Sequence, residues 1–167
     1  RITVHLGTPT SDAENVTVSF PDYVKNVASS EIYPTWDEDA LRANIYAIVS
    51  FALNRVYTEW YRSRGYDYDI TNSTAYDQYF VNGRSYFTNV SRLVDELFND
   101  YLRRPGFVEP LAAKFCNGTT AICEGLSQWG SENLAQQGYT YDQILRSYYG
   151  NVEIVNNAPI QGITSSY

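Results

Sequence analysis

The strongest pattern in the chain is a helical repeat of apolar positions over residues 38–60. Leu41, Ile45, Ile48, Val49, Ala52, Val56 and Trp60 recur with the 3.6-residue period and predict a long central helix. Thr35 and Glu38 have capping-box spacing at its start, and Asp37, Glu38 and Asp39 put negative charge at the positive end of the helix dipole. Upstream, Phe20, Val24 and Val27, flanked by Ala28 and Ile32, mark one face of a helix over residues 21–33, which Pro34 stops. Glu31 lies four residues after Val27, at or beside the buried edge of that face. Val90, Leu93, Val94, Leu97, Phe98, Tyr101 and Leu102 predict a third helix that closes at Arg103-Arg104, before Pro105-Gly106. A tight turn over residues 125–130 leads into a short helix ending near Gly138. Thr140 and Gln143 cap a last one through Ile144 and Leu145, stopped by Gly150.

Alternation of period two appears at the ends. Residues 2–6 and 16–20 read as a hairpin or a pair of edge strands around a Gly- and Pro-containing turn, and residues 110–115 and 152–155 read as further strands. His5, on the first strand, reads as a surface or packed residue rather than a catalytic one. Residues 61–87 are polar and aromatic without a sustained period, which predicts an ordered binding loop. The fold class is therefore α+β: a single mixed domain over residues 1–155 with a long central helix, shorter helices and short terminal strands. Residues 156–167 read as a polar tail or linker.

Composition narrows the chemistry. The 167 residues are 44% hydrophobic, enough for one buried core, and no stretch approaches the ~20 apolar residues of a membrane span. No signal-peptide pattern is seen, and a chain that starts at Arg1 and contains no Met reads as a processed protein or excised domain. A net charge of −7 with scattered Lys and Arg argues against a nucleic-acid partner, which needs a basic patch. The 16 Tyr and 3 Trp suit surfaces that grip amphipathic ligands such as sugars. Cys116 and Cys123 can close a short loop as a disulfide in an exported protein, or stand free in a reducing compartment. With His5 as the only His, no metal site is expected. Asn15, Asn72, Asn89 and Asn117 each start an Asn-X-Ser/Thr sequon, a pattern that would suit a eukaryotic secreted domain but arises readily by chance in an Asn- and Thr-rich chain.

Glu31 is the candidate with chemistry attached. Burial raises a carboxyl pKa, and a Glu still protonated near neutral pH can act as a general acid. The same spacing also suits a half-solvated structural Glu just beyond a helix end.

Four stretches, in order, resemble the catalytic domain of the sporulation protein SpoIID and the related amidase enhancer LytB. They are Tyr23-Val24-Lys25-Asn26-Val27-Ala28-Ser29-Ser30-Glu31-Ile32 with Trp36 and then Ala40-Leu41-Arg42-Ala43; Ser50-Phe51-Ala52-Leu53; Asp69-Ile70-Thr71 through Asp77-Gln78; and Leu126-Ser127-Gln128-Trp129-Gly130 with Gly138-Tyr139, Ile144-Leu145 and Tyr148-Tyr149-Gly150. The resemblance covers roughly residues 20–155. It implies a peptidoglycan lytic transglycosylase that cuts between N-acetylmuramic acid and N-acetylglucosamine, outside the cytoplasm in a bacterial cell wall or spore envelope. It implies Glu31 as the catalytic acid, with Asp69, Thr71, Asp77, Gln78, Ser127, Gln128 and Trp129 as substrate-binding candidates, and Trp36 as a second sugar-stacking candidate. Asp69, Thr71, Asp77 and Gln78 could equally brace their loop. No cofactor is implied. The partners are glycan strands and, through the LytB likeness, other cell-wall hydrolases, with a non-catalytic wall-binding module as the alternative function. The chain departs from the family at Val49, where members usually carry Arg, and at residues 121–125, where many have Gly-His-Gly; the His through which some members bind zinc is missing.

Overall fold

The computed structural model describes residues 1–156. Helix α2 (Glu38–Tyr57) is the centre of the molecule. Helices α1 (Phe20–Glu31), α3 (Thr88–Leu97), α4 (Gln128–Gln136) and α5 (Tyr141–Tyr149) pack around it. The expected single stripe on α2 proves too narrow, because Ala40, Leu41 and every residue from Ala43 to Asn54 are buried. Its buried polar groups are correspondingly satisfied. Asn44 Nδ2 donates to Ala40 O and Ser131 Oγ, Asn54 Nδ2 to Pro110 O, and Ser50 Oγ accepts from Leu102 N.

Strand β1 (Ile2–His5) pairs antiparallel with β2 (Asn15–Val18) and parallel with β3 (Ile70–Thr71), in the order β2-β1-β3. The predicted hairpin is present, and β3 ties residues 61–87 to its edge. His5 is buried, hydrogen-bonded to Asn15 and stacked on Tyr68.

Several boundaries differ from expectation for local reasons. The start of α2 is capped by Asp37, whose Oδ1 accepts from Asp39 N at 2.9 Å, not by Thr35; Glu38 instead pairs with Arg42 and Arg92. The helix ends at Tyr57, and Glu59 turns the chain through φ 50°, so Trp60 leaves the stripe and is 39% exposed. The third apolar repeat divides: α3 stops at Leu97, Asn99-Asp100 makes a turn, and Tyr101–Arg103 becomes strand β4. Strand β4 pairs antiparallel with β7 (Glu153–Val155). The strand expected over residues 110–115 shrinks to β5 (Phe115–Cys116), parallel to β6 (Leu126–Ser127). Of the predicted tail, residues 157–167 lie outside the described residues.

Helix α1 sets the position of the site. Ser19 caps it by accepting from Asp22 N at 3.2 Å, with Pro21 in the first turn. Ile32 is extended (φ −126°, ψ 160°), and Pro34 keeps the chain from resuming the helix. Glu31 is thus the last residue of α1.

Candidate functional site

Glu31 stands in the middle of a long cleft. On one side is a hollow of about 350 Å³, which it lines with Tyr33, Trp36, Arg84, Phe87, Gln128 and Trp129. A second hollow of about 290 Å³ shares Glu31, Asn117 and Gln128 with the first and adds Thr74, Asp77 and Phe115. A third, about 300 Å³, continues from Thr74, Asp77 and Phe115 to Arg55, Trp60, Tyr61 and Lys114. Aromatic rings line both ends of the trough, Tyr33, Trp36 and Trp129 at one and Trp60 and Tyr61 at the other.

Burial pushes the Glu31 carboxyl up to about 7 from its ordinary 4.5, against the opposing pull of the Tyr79 N–H and the Gln128 amide. Among the described residues no Lys or Arg is paired with it. Its place at the C-terminal end of α1, the negative end of the helix dipole, acts in the same direction as burial. Tyr79 N donates to Oε2 at a long 3.4 Å. Gln128 Nε2 is buried and makes no hydrogen bond at full strength with any group of the protein. The Gln128 residue borders both hollows that Glu31 lines.

The Ser-Gln-Trp-Gly turn explains how Gln128 and Trp129 arrive there. Ser127 ends β6 and caps α4 by accepting from Gly130 N at 2.9 Å. A Cβ at Gly130 would collide with the Tyr148 hydroxyl and fall 2.8 Å from Ser127 Oγ, so a side chain there would displace the Tyr148 ring end and the cap. Trp129 N donates to Asn117 O at 3.0 Å, joining the turn to the loop that the Cys116–Cys123 disulfide closes. Trp129, 39% exposed, meets Trp36 and Tyr33 with ring centroids 5.0 and 5.4 Å apart. Trp36 is buried beneath them, which makes Trp129 and Tyr33 the faces open to a ligand.

The remaining candidates separate into two groups. Asp77 borders the cleft, but its side chain is fully buried and accepts four hydrogen bonds: from Arg55 Nε at 2.7 Å, the Tyr61 hydroxyl at 2.6 Å, Thr71 N at 2.9 Å and Thr71 Oγ1 at 2.6 Å. Thr71 is buried inside that node. Gln78 is buried too; it accepts from the Tyr23 hydroxyl at 2.8 Å and donates to Ile48 O at 3.1 Å. Asp69 lies away from the cleft on the β-sheet, held by Thr3 N and Arg62. Sequence reasoning passed over Arg55, Tyr23 and Asn26, which lace residues 61–87 to the helices, and Tyr61, which braces that segment internally through Asp77. Asn26, for example, exchanges two hydrogen bonds with the Val81 backbone at 2.7 and 2.9 Å.

Among the described residues, no group of three or more His, Cys, Asp or Glu is arranged to hold a metal ion, and no helix is long and apolar enough to cross a membrane. A family model described as SpoIID, stage II sporulation protein, matches residues 11–97, just over half of the chain. No curated protein matches it.

Proposed function

The chain belongs to the SpoIID family, whose work is sporulation-related and on the cell wall, and on that premise we propose that it is a peptidoglycan lytic transglycosylase acting outside the cytoplasm. The observation that carries this reading is Glu31: a carboxyl that burial keeps about half protonated at neutral pH, between two hollows of a cleft with aromatic ends. A second carboxylate is needed to activate water in ordinary glycoside hydrolases. Among the described residues that line the three hollows, the other carboxylate is Asp77, and it already accepts from Arg55, Tyr61 and Thr71. A mechanism that uses one carboxyl twice fits this inventory.

In the first step the Glu31 carboxyl gives its proton to the oxygen between the muramyl and glucosaminyl rings, and the C1–O bond breaks. Glu31, now a carboxylate in a site that disfavours the charge, takes the proton of the muramyl 6-hydroxyl as O6 bonds to C1. The 1,6-anhydro ring closes, Glu31 is again protonated, and no water is consumed. Gln128, with its Nε2 buried beside the acid, donates in this reading to the transient Glu31 carboxylate, while Trp129 and Tyr33 offer faces for stacking. Thr71, Asp77 and Gln78 serve this reading as braces of the cleft wall, and Asp69 as a brace of β3.

Incubation with purified glycan strands, peptide-bearing and stripped, tests it. Anhydromuramyl ends by mass spectrometry, absent with Glu31→Gln, are the expected result. Binding without cleavage of either substrate would instead support a wall-binding accessory module.

A further inference from the structure

The chain carries more acid than base, and most of its cations are neutralised in place. Lys25, Arg42, Arg55, Arg62, Arg92, Arg103 and Arg146 each face a carboxylate. Arg84, which lines the hollow on the Trp129 side of Glu31, does not. Its Nε donates to Ser85 O at 2.9 Å and its Nη1 to Ser30 Oγ at 3.4 Å, while the guanidinium lies over the Phe87 ring at 5.5 Å. Ser30 Oγ in turn donates to Asn26 O at 2.8 Å, so the acceptor offered to Arg84 is fixed. The side chain is therefore held in a defined pose with most of its five N–H donors unused.

Arg84 is not there to serve the acid. A guanidinium acting on Glu31 would hold its pKa down, whereas burial governs that carboxyl and no Lys or Arg among the described residues is paired with it. An oriented, uncompensated guanidinium beside stacking rings suits a sugar that carries an anion.

Resting on the glycan reading of this cleft, we infer that Arg84 is a specificity residue that binds a carboxylate borne by the strand on the Trp129 side of the scissile bond. Two sources in peptidoglycan share that chemistry: the free lactyl carboxylate of a stripped muramyl residue and the carboxylates of a stem peptide. Neutral N-acetylglucosamine oligomers lack both. Arg, with a planar fork that can meet a carboxylate through two parallel hydrogen bonds, is the side chain suited to this.

The test is titration calorimetry with the Glu31→Gln protein, in which turnover is removed, with and without Arg84→Gln. The ligands are stripped muramyl strands, the same strands with lactyl groups amidated, peptide-bearing strands, and chitin oligomers of equal length. A carboxylate-bearing strand should bind about tenfold tighter than the neutral ones, and Arg84→Gln should remove that preference while leaving chitin binding unchanged. Arg84→Lys should restore part of it. Loss confined to stripped strands assigns the lactyl carboxylate, and loss confined to peptide-bearing strands assigns the stem peptide. No preference for either kind over the neutral ligands, or an equal loss on all four in Arg84→Gln, overturns the inference. Cleavage by the unsubstituted protein is scored separately. Strands bound with this preference but left uncut would remove the transglycosylase reading and keep the carboxylate one, and cutting without preference would do the reverse.

Discussion

Replacing Glu31 by Gln should stabilise the fold, and by an amount that grows with pH. In the folded protein the carboxyl titrates at about 7, against 4.5 ordinarily, because it is buried. A group whose folded pKa is raised keeps its full contribution to stability below about 4.5 and loses it as pH rises through about 7, since the unfolded chain gives up its proton first. Integrating over those two values gives a cost of about 1 kcal/mol at pH 5 and about 3 kcal/mol at pH 8. Gln resembles the protonated acid in shape and polarity and carries no such cost. The Tm advantage of Glu31→Gln over the unsubstituted protein should therefore widen by roughly 5–8 °C between pH 5 and pH 8 for a domain of this size.

Thermal melts followed by circular dichroism at the two pH values, with urea titrations to convert Tm into free energy, measure this directly. An advantage that stays constant with pH, or a variant less stable at pH 8, would show that Glu31 is an ordinary solvated carboxylate. The acid role proposed for it would then lose its physical basis.

The same titration should appear in catalysis: kcat/KM for strand cleavage should fall as pH rises through about 7, as the proton to be donated is lost, and a rate that climbs through that range would contradict the assignment. Asp77→Asn should cost about 3–5 kcal/mol in urea unfolding, because it leaves the Arg55 charge unpaired and offers a donor to a site of donors. Full stability with lost ligand binding would make Asp77 a ligand group instead of a brace. Replacing Cys116 and Cys123 together by Ser should destabilise by about 2.5 kcal/mol from the opened loop, and should also weaken glycan binding, since Asn117 and Cys123 border the cleft. Unchanged affinity in that double variant would mean that the loop does not shape the binding surface.

Helices announce themselves by period, and those held together by their own residues were legible. The apolar face of α1, the long α2, and the α5 cap, in which Thr140 N donates to Gln143 Oε1 at 3.0 Å, all follow from local spacing. Strand β4 was not legible, because Tyr101 and Leu102 continue the helical repeat by coincidence and only the Asn99-Asp100 turn, braced by the Tyr46 hydroxyl on Asp100, breaks it. Spacing placed Glu31 at the edge of a buried face. The burial that raises its pKa is assembled from distant parts of the chain, and so are the Tyr79 N–H and the Gln128 amide that pull the other way. The Asp77 node was invisible for the same reason: Arg55 sits at the end of α2 and Thr71 in β3, and no period links them to Asp77. The family motif marked Thr71, Asp77 and Gln78 without distinguishing a sugar contact from a brace; burial and hydrogen bonding supply that distinction.

Whether water takes part in the reaction is the most direct question for a cleft with a single free carboxyl. Strands digested in water enriched in oxygen-18 answer it by mass spectrometry of the new ends. The expected products are anhydromuramyl ends carrying no label, since the attacking oxygen is the sugar's own O6. Reducing ends with one labelled oxygen would contradict the one-carboxyl mechanism and require a water-activating group that the cleft around Glu31 has not revealed.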